Sequence, residues 1–239
     1  MTQKGKLIVI DGIDGTGKAT QVGLLAGRLK NGRFKTKTID FPRYYDNFFG
    51  KLVGECLAGK YGDFLSLDPR IASTLYAADR FESKNQINKW LEQGYLVIVD
   101  RYVSANQIHQ GGKLTDGRKR AHFLRWLDKM EYKVFGIPRP DLIIYLDLPL
   151  ELSQQLLDAK HYSFVLAQRK RYTKEVKDAH EASVTHLDQS RQSALRMVAS
   201  KNKWIKIDCA PEGELLSKGE VHLLVLDAVA RELGLTIKF

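Results

Sequence analysis

Short apolar runs alternate with longer amphipathic segments over most of the chain. The runs have the length of β-strands and cover residues 6–11, 36–41, 95–100, 141–147 and 203–208. Strands that alternate with helix-length segments are typical of βαβ units, whose strands lie parallel. The pattern therefore predicts an α/β fold in which helices enclose a five-stranded parallel sheet.

The amphipathic segments predict helices over residues 17–30, 46–59, 69–93, 118–134, 149–158, 179–200 and 217–233. The first helix should bury one apolar face, formed by Val22, Leu24, Leu25 and Leu29. Asp68 is a suitable N-cap and Pro69 fits a first turn, so the helix at 69–93 has a clear beginning. Gly94 gives that helix an end.

The length and composition of the chain favour one domain over residues 1–239. With 44% hydrophobic residues the chain can bury one sizeable core, and no linker or internal repeat interrupts it. The longest apolar runs are too short for a membrane span, and no apolar signal core precedes the first strand, so we expect a cytoplasmic protein without a membrane partner. Cys56 and Cys209 form no C-x-x-C pair and are expected to be buried thiols.

The chain is basic, with 38 Lys and Arg residues against 28 Asp and Glu and a formal net charge of +10. This charge fits a polyanionic partner, either nucleotides or nucleic acid, or a basic solvated surface. Zinc-finger spacing and an aromatic-basic RNA-binding signature are missing, so nucleic-acid binding is not the expected main function.

The first predicted strand runs into a glycine-rich turn that ends in a lysine. Gly12, Gly17 and Lys18 have the G-x-x-x-x-G-K spacing, in which backbone N–H groups and a helix N-terminus can bind phosphate oxygens. Lys18 would reach the outer phosphates. The predicted phosphate-binding residues are Gly12, Ile13, Asp14, Gly15, Thr16, Gly17, Lys18, Ala19 and Thr20. An ordinary strand–turn–helix junction is the alternative.

One position departs from this motif. Ala19 stands where a Ser or Thr normally holds magnesium, and the nearest hydroxyl, on Thr20, lies about 100° further round the helix. Magnesium must therefore be bound by another residue.

Two further motifs follow predicted strands. Phe41-Pro42-Arg43 and Asp100-Arg101-Tyr102 fall at carboxyl ends of strands, where open α/β sheets bind ligands. Asp100 can serve a metal and the Arg101 fork can bind phosphate, although a surface ion pair would need no ligand. Three motifs thus converge on one crevice.

Together these motifs resemble the thymidylate kinase family over nearly the whole chain. The resemblance rests on Gly12 to Lys18, Phe41-Pro42-Arg43-Tyr44, Tyr76-Ala-Ala-Asp79-Arg80, Asp100-Arg101-Tyr102, Asn106-Gln107, Gln110-Gly111, and Pro138 to Asp147. It implies a P-loop NTPase fold of three α/β/α layers with a lid segment. It also implies transfer of the γ-phosphoryl group of ATP to dTMP with Mg²⁺, in deoxynucleotide supply, by a homodimer.

The resemblance implies a set of acceptor-site residues: Phe41, Pro42, Arg43, Tyr44, Tyr76, Arg80, Arg101, Asn106, Gln107 and His109. Tyr76 would stack on thymine, with Arg80 on the same helix face, and Asn106 would bond the pyrimidine edge. Arg43 and Arg101 would hold the acceptor phosphate. His109 stands where relatives often have Tyr or Phe near the sugar 2′ carbon. The alternative for Tyr76 is a core aromatic residue.

The resemblance also implies the catalytic and metal residues. Asp14, Asp100 and, through water, Glu181 would serve magnesium, while Lys18, Asp14 and Arg101 act on the phosphates. A lid at about 159–180 would close over ATP. Because Thr16 stands where one subgroup has an arginine, the transition-state arginine should come from the lid. Arg169 is the first candidate and Arg171 the second; solvated surface charge is the alternative.

Several alternatives remain open at this point. A broader deoxynucleoside monophosphate kinase would share the fold. A nucleotide-dependent switch without kinase activity is less favoured, because Asn88-Lys89 and Asn202-Lys203 lack the aspartate of an Asn-Lys-x-Asp motif. Ala19 alone suggests a regulatory protein that has lost catalysis. A dimer face is expected on helices at 46–57 and 70–91.

Overall fold

Five parallel strands form one sheet in the order β2-β3-β1-β4-β5. The structure is a computed structural model that describes residues 4–157, 184–200 and 203–237. The strands are β1 (Lys6–Asp11), β2 (Thr36–Asp40), β3 (Leu96–Asp100), β4 (Leu142–Asp147) and β5 (Trp204–Asp208). Each begins and ends within one residue of the apolar run that predicted it, so the predicted five-stranded parallel sheet is confirmed.

Helices precede or follow every strand in the described part of the chain. They are α1 (Lys18–Asn31), α2 (Phe48–Leu57), α3 (Pro69–Glu82), α4 (Lys84–Glu92), α5 (Val103–Gly112), α6 (Gly117–Lys129), α7 (150–157), α8 (Val184–Ser200) and α9 (Lys218–Leu233). A π-helical turn (Met130–Val134) continues α6, and a short 3₁₀ turn (Pro211–Gly213) follows β5.

The central strands β1, β3 and β4 are buried on both faces, as their continuous apolar sequences require, while the edge strands β2 and β5 are partly exposed. Alternate residues of β1, such as Leu7 and Val9, pack with α3, α4, α5, α6 and α8. The residues between them, such as Ile8 and Ile10, pack with α1 and α9. The result is the predicted α/β/α arrangement of three layers.

The helix prediction needs three corrections. The segment 69–93 contains two helices, because α3 ends and α4 begins at Ser83. In α1, Leu24 is exposed, and the buried stripe follows Val22, Leu25, Ala26 and Leu29 instead. The predicted helix at 118–134 changes to π-helical geometry at Met130.

The helix α5 was not predicted at all. Most of its residues are buried, yet several of them are polar: Ser104, Asn106, His109 and Gln110. A buried helix of this composition has no apolar stripe, so its sequence shows no helical period. It packs mainly against α8.

Smaller predictions are also confirmed. Asp68 caps α3 by accepting from the Arg70 backbone N–H, and Pro69 lies in the first turn. Cys56 and Cys209 are free buried thiols. Within the described residues, no helix has both the length and the apolar character needed to span a bilayer.

The contact between α5 and α8 requires glycine at its narrowest point. A Cβ atom on Gly112 would lie 3.0 Å from the Gln189 carbonyl oxygen and 3.2 Å from the Ser190 Cα atom. We expect Gly112→Ala to lower the free energy of unfolding by about 1–3 kcal/mol, because backbone must move to admit the methyl group. Urea denaturation measures this change.

Gly23→Ala is the matched control. Gly23 lies on the exposed side of α1, where a Cβ atom would meet nothing within 4 Å. The same substitution should there stabilise the protein by about 0.5–1 kcal/mol through helix propensity. Equal effects at the two glycines would show that α5 and α8 are not closely packed.

Candidate active site

All five strands end in aspartate, and parallel strands bring these ends to one edge of the sheet. The residues are Asp11, Asp40, Asp100, Asp147 and Asp208. Cations balance them: Arg191 and Lys206 pair with Asp147, while Lys18 and Arg101 interact with Asp11 and Asp100. The site is built on this charged edge, from the loops that follow β1, β2 and β3.

The loop between β1 and α1 forms a tight arch. Gly15 and Gly17 have φ angles of 85° and 84°, a region that favours glycine, and Gly17 caps α1. The Thr16 hydroxyl donates to the Ile13 carbonyl at 2.9 Å. A Cβ atom on Gly12 would lie 2.5 Å from that hydroxyl oxygen, so this position also needs glycine. The arch presents the N-terminus of α1 to a ligand.

Lys18 folds back over this loop. Its Nζ atom donates to the Ile13 carbonyl at 2.8 Å and lies 3.7 Å from Asp14 Oδ1. Burial and the nearby Arg101 cation lower the pKa of Lys18, while Asp14 and Asp100 oppose that shift. Ala19, the next residue, is exposed.

Arg101 links three parts of the site. It follows β3 with a φ angle of 61°, which is uncommon for a residue with a side chain. Its guanidinium forms an ion pair with Asp14 of the loop and donates to His109 Nε2 of α5 at 3.0 Å. Although burial disfavours the charge, Asp14, Asp11 and Asp100 raise the pKa of Arg101, so it is always a cation.

Two carboxylates lie under the loop. Asp11 accepts from the Ser104 hydroxyl at 2.6 Å and from the Gly12 N–H at 2.9 Å. Asp100 is different, because its buried Oδ1 atom has no hydrogen-bond partner among the described residues. Burial raises the pKa of both carboxyl groups, and Lys18 and Arg101 oppose the shift.

The unpartnered oxygen of Asp100 fits magnesium. Mg²⁺ is usually bound through one or two carboxylates, with substrate phosphates and water completing its shell. In residues 4–157, 184–200 and 203–237 no group of three or more His, Cys, Asp or Glu side chains could hold a metal unaided. The chain therefore offers the incomplete carboxylate set that a phosphate-bound magnesium ion uses.

A pocket of about 510 Å³ opens beside the phosphate loop. It is lined by Asp14, Phe41, Pro42, Tyr44, Tyr76, Arg80, Arg101, Ala105, Asn106, His109 and Gln110. The predicted acceptor residues are therefore brought together, except for Arg43 and Gln107, and Ala105 and Gln110 join them.

Arg43 and Gln107 lie close to the pocket but contact other groups. The Arg43 guanidinium donates to Asp46 at 3.1 Å and reaches Ser83 and Gln86 at 3.4 Å. The backbone carbonyl of Gln107 accepts from the Ser193 hydroxyl at 3.0 Å. In this structure Arg101 is thus the arginine nearest to the loop.

One wall of the pocket contains a buried ion pair. Arg80 is 2% exposed and forms two hydrogen bonds with Glu131, which is 0% exposed; its Nη1 atom also donates to the Tyr102 carbonyl at 3.3 Å. Asn106 donates to the Ser73 carbonyl at 3.3 Å, and its side chain opposes the rise that burial causes in the pKa of Glu131. Sequence reasoning missed Glu131, because it lies among other charged residues within a predicted helix.

Gln110 is the second residue that sequence reasoning left without a role. It is 1% exposed, it lines the pocket, and its Oε1 atom has no hydrogen-bond partner within the described part of the chain. Across the pocket, the Tyr76 ring packs edge-on against Phe64 at 5.8 Å. The pocket therefore combines an aromatic wall with a lining residue whose buried amide oxygen has no hydrogen-bond donor from the residues that the structure describes.

A protein-family model described as "Thymidylate kinase" matches residues 10–218 of this sequence. The chain belongs to the thymidylate kinase family. The match includes the end of β1, all of β2 to β5 and all of the site residues named above.

Individual relatives agree with this assignment. The chain is 34% identical over 151 residues to the thymidylate kinase of Mycobacterium tuberculosis, covering 62% of this chain and 68% of that protein. It is 29% identical over 192 residues to the thymidylate kinase of Plasmodium falciparum, covering 80% and 85%. The thymidylate kinase structure from Candida albicans has a TM-score of 0.70 at 24% identity and covers 98% of this chain, which supports the fold.

Three of the predicted site residues cannot be placed in this structure. Arg169, Arg171 and Glu181, with the lid predicted at about 159–180, lie outside the described residues. Their roles stay predictions.

Breaking the buried Arg80–Glu131 pair by removing one partner should strongly destabilise this protein. We expect Glu131→Gln to lower the free energy of unfolding by about 3–5 kcal/mol, because it leaves a buried arginine without a counter-charge. Urea denaturation followed by circular dichroism measures the loss.

Asp128→Asn is the comparison. Asp128 pairs with Arg139 through two hydrogen bonds, but the two side chains are 43% and 50% exposed. Exposed pairs contribute about 0–1 kcal/mol. If both substitutions cost the same, the buried pair does not have the importance that its burial indicates.

Proposed function

We propose that this member of the thymidylate kinase family transfers the γ-phosphoryl group of ATP to dTMP, forming ADP and dTDP. The observation that carries the proposal is that the phosphate loop and the pocket share a wall. Asp14 belongs to the phosphate loop and also lines the pocket, and Arg101 contacts it there. A nucleotide in the loop and a monophosphate in the pocket would therefore bring their phosphates together.

The loop is the donor site. Backbone N–H groups and the N-terminus of α1 bind the ATP phosphates, and Lys18 exchanges its bond to the Ile13 carbonyl for the outer phosphates. The ATP-binding residues of this proposal are Gly12, Ile13, Asp14, Gly15, Thr16, Gly17, Lys18, Ala19 and Thr20.

The pocket is the acceptor site, in which each wall meets a different part of dTMP. Tyr76 stacks on the thymine ring, and Arg80, Asn106 and Gln110 meet its polar edge. The unpartnered Gln110 Oε1 atom accepts from the N3–H group of the base. Phe41, Pro42 and Tyr44 form the remaining walls of the pocket. His109 and Gln107 lie near the sugar, and Arg43 and Arg101 bind the phosphate.

The chemistry requires charge stabilisation and positioning more than proton transfer. An oxygen of the acceptor phosphate attacks the γ-phosphorus atom, and the bond to the ADP oxygen breaks. Because the attacking oxygen is already ionised, no general base is assigned. Lys18 and Arg101 stabilise the developing charge, Asp14 orients both cations, and Arg169 or Arg171 adds a cation from the lid.

Mg²⁺ would be held by Asp100 and Asp14, and through water by Glu181. When bound, it neutralises charge between the ATP phosphates. These carboxylates take over the anchoring that Ala19 cannot provide.

The proposal includes a homodimer in the cytoplasm that supplies deoxynucleotides, without nucleic-acid or membrane partners. The expected dimer face at 46–57 and 70–91 carries exposed apolar side chains, among them Phe48, Ile71 and Phe81. Such side chains favour a self-complementary contact between two copies.

ADP release by the purified protein tests the proposed reaction. With ATP and magnesium, we expect dTMP to be used selectively over dCMP, dGMP and AMP, because the pocket reads the hydrogen-bonding edge of thymine. Uracil presents the same edge, so dUMP is offered in parallel to measure discrimination at the 5-methyl group. Similar use of several acceptors would indicate a broader nucleotide kinase. ADP release that ignores every acceptor would contradict kinase activity and favour a nucleotide-dependent switch.

The role of Gln110 gives a sharper test of the base contact. Gln110→Leu keeps the size of the side chain but removes the acceptor, so we expect the KM for dTMP to rise about tenfold with little change in kcat. Steady-state kinetics with varied dTMP measure both constants. Gln192→Leu, on the exposed side of α8, is the matched control. An unchanged KM would remove Gln110 from the base contact.

A further inference from the structure

A continuous chain of hydrogen bonds runs from Arg101 to α8. Arg101 Nη1 lies 3.0 Å from His109 Nε2, and His109 Nδ1 lies 3.1 Å from the Ser190 hydroxyl. The Ser190 hydroxyl donates to the His186 carbonyl at 2.7 Å. The chain thus joins a phosphate-binding cation to a helix that lies outside the nucleotide loops.

The partners determine which nitrogen of His109 carries the proton. Arginine can only donate, so His109 Nε2 is the acceptor and is unprotonated. The proton then lies on Nδ1, which donates to Ser190, whose own proton goes to the His186 carbonyl. Every bond in the chain has one donor and one acceptor, so the imidazole is neutral and fixed in one orientation.

The packing of α5 on α8 holds this geometry. Gly112 allows the backbone at Gln189 and Ser190 to approach α5 closely, and Ser193 bonds to the Gln107 carbonyl one turn further along. The His109 ring also stacks on His186, with ring centres 5.6 Å apart and an angle of 25°. His109 is therefore fixed by its neighbours before any ligand binds.

A neutral imidazole directs Arg101 without changing the charge of the site. Asp14 already provides the counter-charge, but a single carboxylate leaves the planar guanidinium free to rotate about that contact. The bond to Nε2 supplies a second fixed point on another nitrogen of the same group. The contacts with Asp14 and His109 together fix the plane of the Arg101 guanidinium.

We infer that His109 is a positioning residue for Arg101, and that Ser190 of α8 holds His109 in the orientation that this requires. The inference rests on the proposed function, in which Arg101 contacts the acceptor phosphate. A positioning role differs from a steric role of His109 beside the sugar. A steric role requires only the ring, whereas the positioning role requires the acceptor nitrogen Nε2.

Three substitutions separate the two roles. In His109→Gln the side-chain oxygen takes the place of Nε2 and can still accept from Arg101. In His109→Asn the amide takes the place of Nδ1, so the contact with Ser190 is kept and the contact with Arg101 is lost. His109→Phe keeps an aromatic ring of similar size but has no acceptor.

The experiment measures kcat and the KM for dTMP in the wild type and the three variants. We expect His109→Phe and His109→Asn to lower kcat about 10–100-fold, since misplacing a positioned group by about 1 Å can cost that much. His109→Gln should stay within about threefold of the wild type. Thermal unfolding of each variant shows whether it is folded at the assay temperature.

Ser190→Ala tests the second link without touching the ring. It leaves Nδ1–H without its acceptor, and we expect kcat to fall about threefold to tenfold, with no further fall when it is added to His109→Phe. If Ser190→Ala costs the same in both backgrounds, Ser190 does not act through His109.

The kinetic pattern also separates the inference from the proposed function. Wild-type protein without dTMP turnover would overturn the proposed function, and the inference with it. Normal turnover in the wild type with His109→Phe as active as His109→Gln, or with His109→Gln as impaired as His109→Phe, would overturn the inference alone. A variant that is unfolded is replaced in the comparison by Ser190→Ala, which keeps the ring.

Discussion

The ion pair between Arg101 and Asp14 connects the two halves of the site. Asp14 belongs to the loop after β1, while Arg101 follows β3, and the positive φ angle of Arg101 turns its side chain towards the loop. Since β1 and β3 are neighbours in the sheet, the pair closes the edge where both strands end. The Arg101–Asp14 contact forms the wall that the phosphate loop and the acceptor pocket share.

The acceptor pocket is built largely from buried polar groups that bond to one another. Asp79 is fully buried and accepts from the Arg43 backbone N–H at 3.0 Å and from Asn47 at 2.8 Å, which fixes the loop after β2 on α3. Arg80 and Glu131 do the same for α3 and the π-helical turn. Buried polar groups are costly unless they are bonded, so each pair restricts the backbone to the geometry that bonds it. The pocket is therefore shaped before a ligand arrives.

The central strands β1, β3 and β4 could be predicted because both of their faces are buried, which makes their sequences continuous apolar runs. The phosphate loop followed from glycine spacing, since its chemistry is local in sequence. The helix α5 could not be predicted in this way: its buried residues include Asn106 and His109, whose partners Ser73 and Ser190 lie far away in sequence. Glu131 was missed because it lies among other charged residues and its partner, Arg80, is also distant in sequence. Hydrogen bonds between polar side chains that are distant in sequence produce no hydrophobic periodicity from which a helix could be predicted.

The charges at the sheet edge limit what the site can accept. Within the described residues, three carboxylates, those of Asp11, Asp14 and Asp100, face the cations Lys18 and Arg101. This near balance stabilises the empty site, but two phosphate-bearing ligands add negative charge that these two cations cannot offset alone. Under the proposed function, further positive charge is therefore required when both nucleotides bind. A magnesium ion at the unpartnered Asp100 oxygen and the proposed lid arginines, Arg169 and Arg171, would supply it.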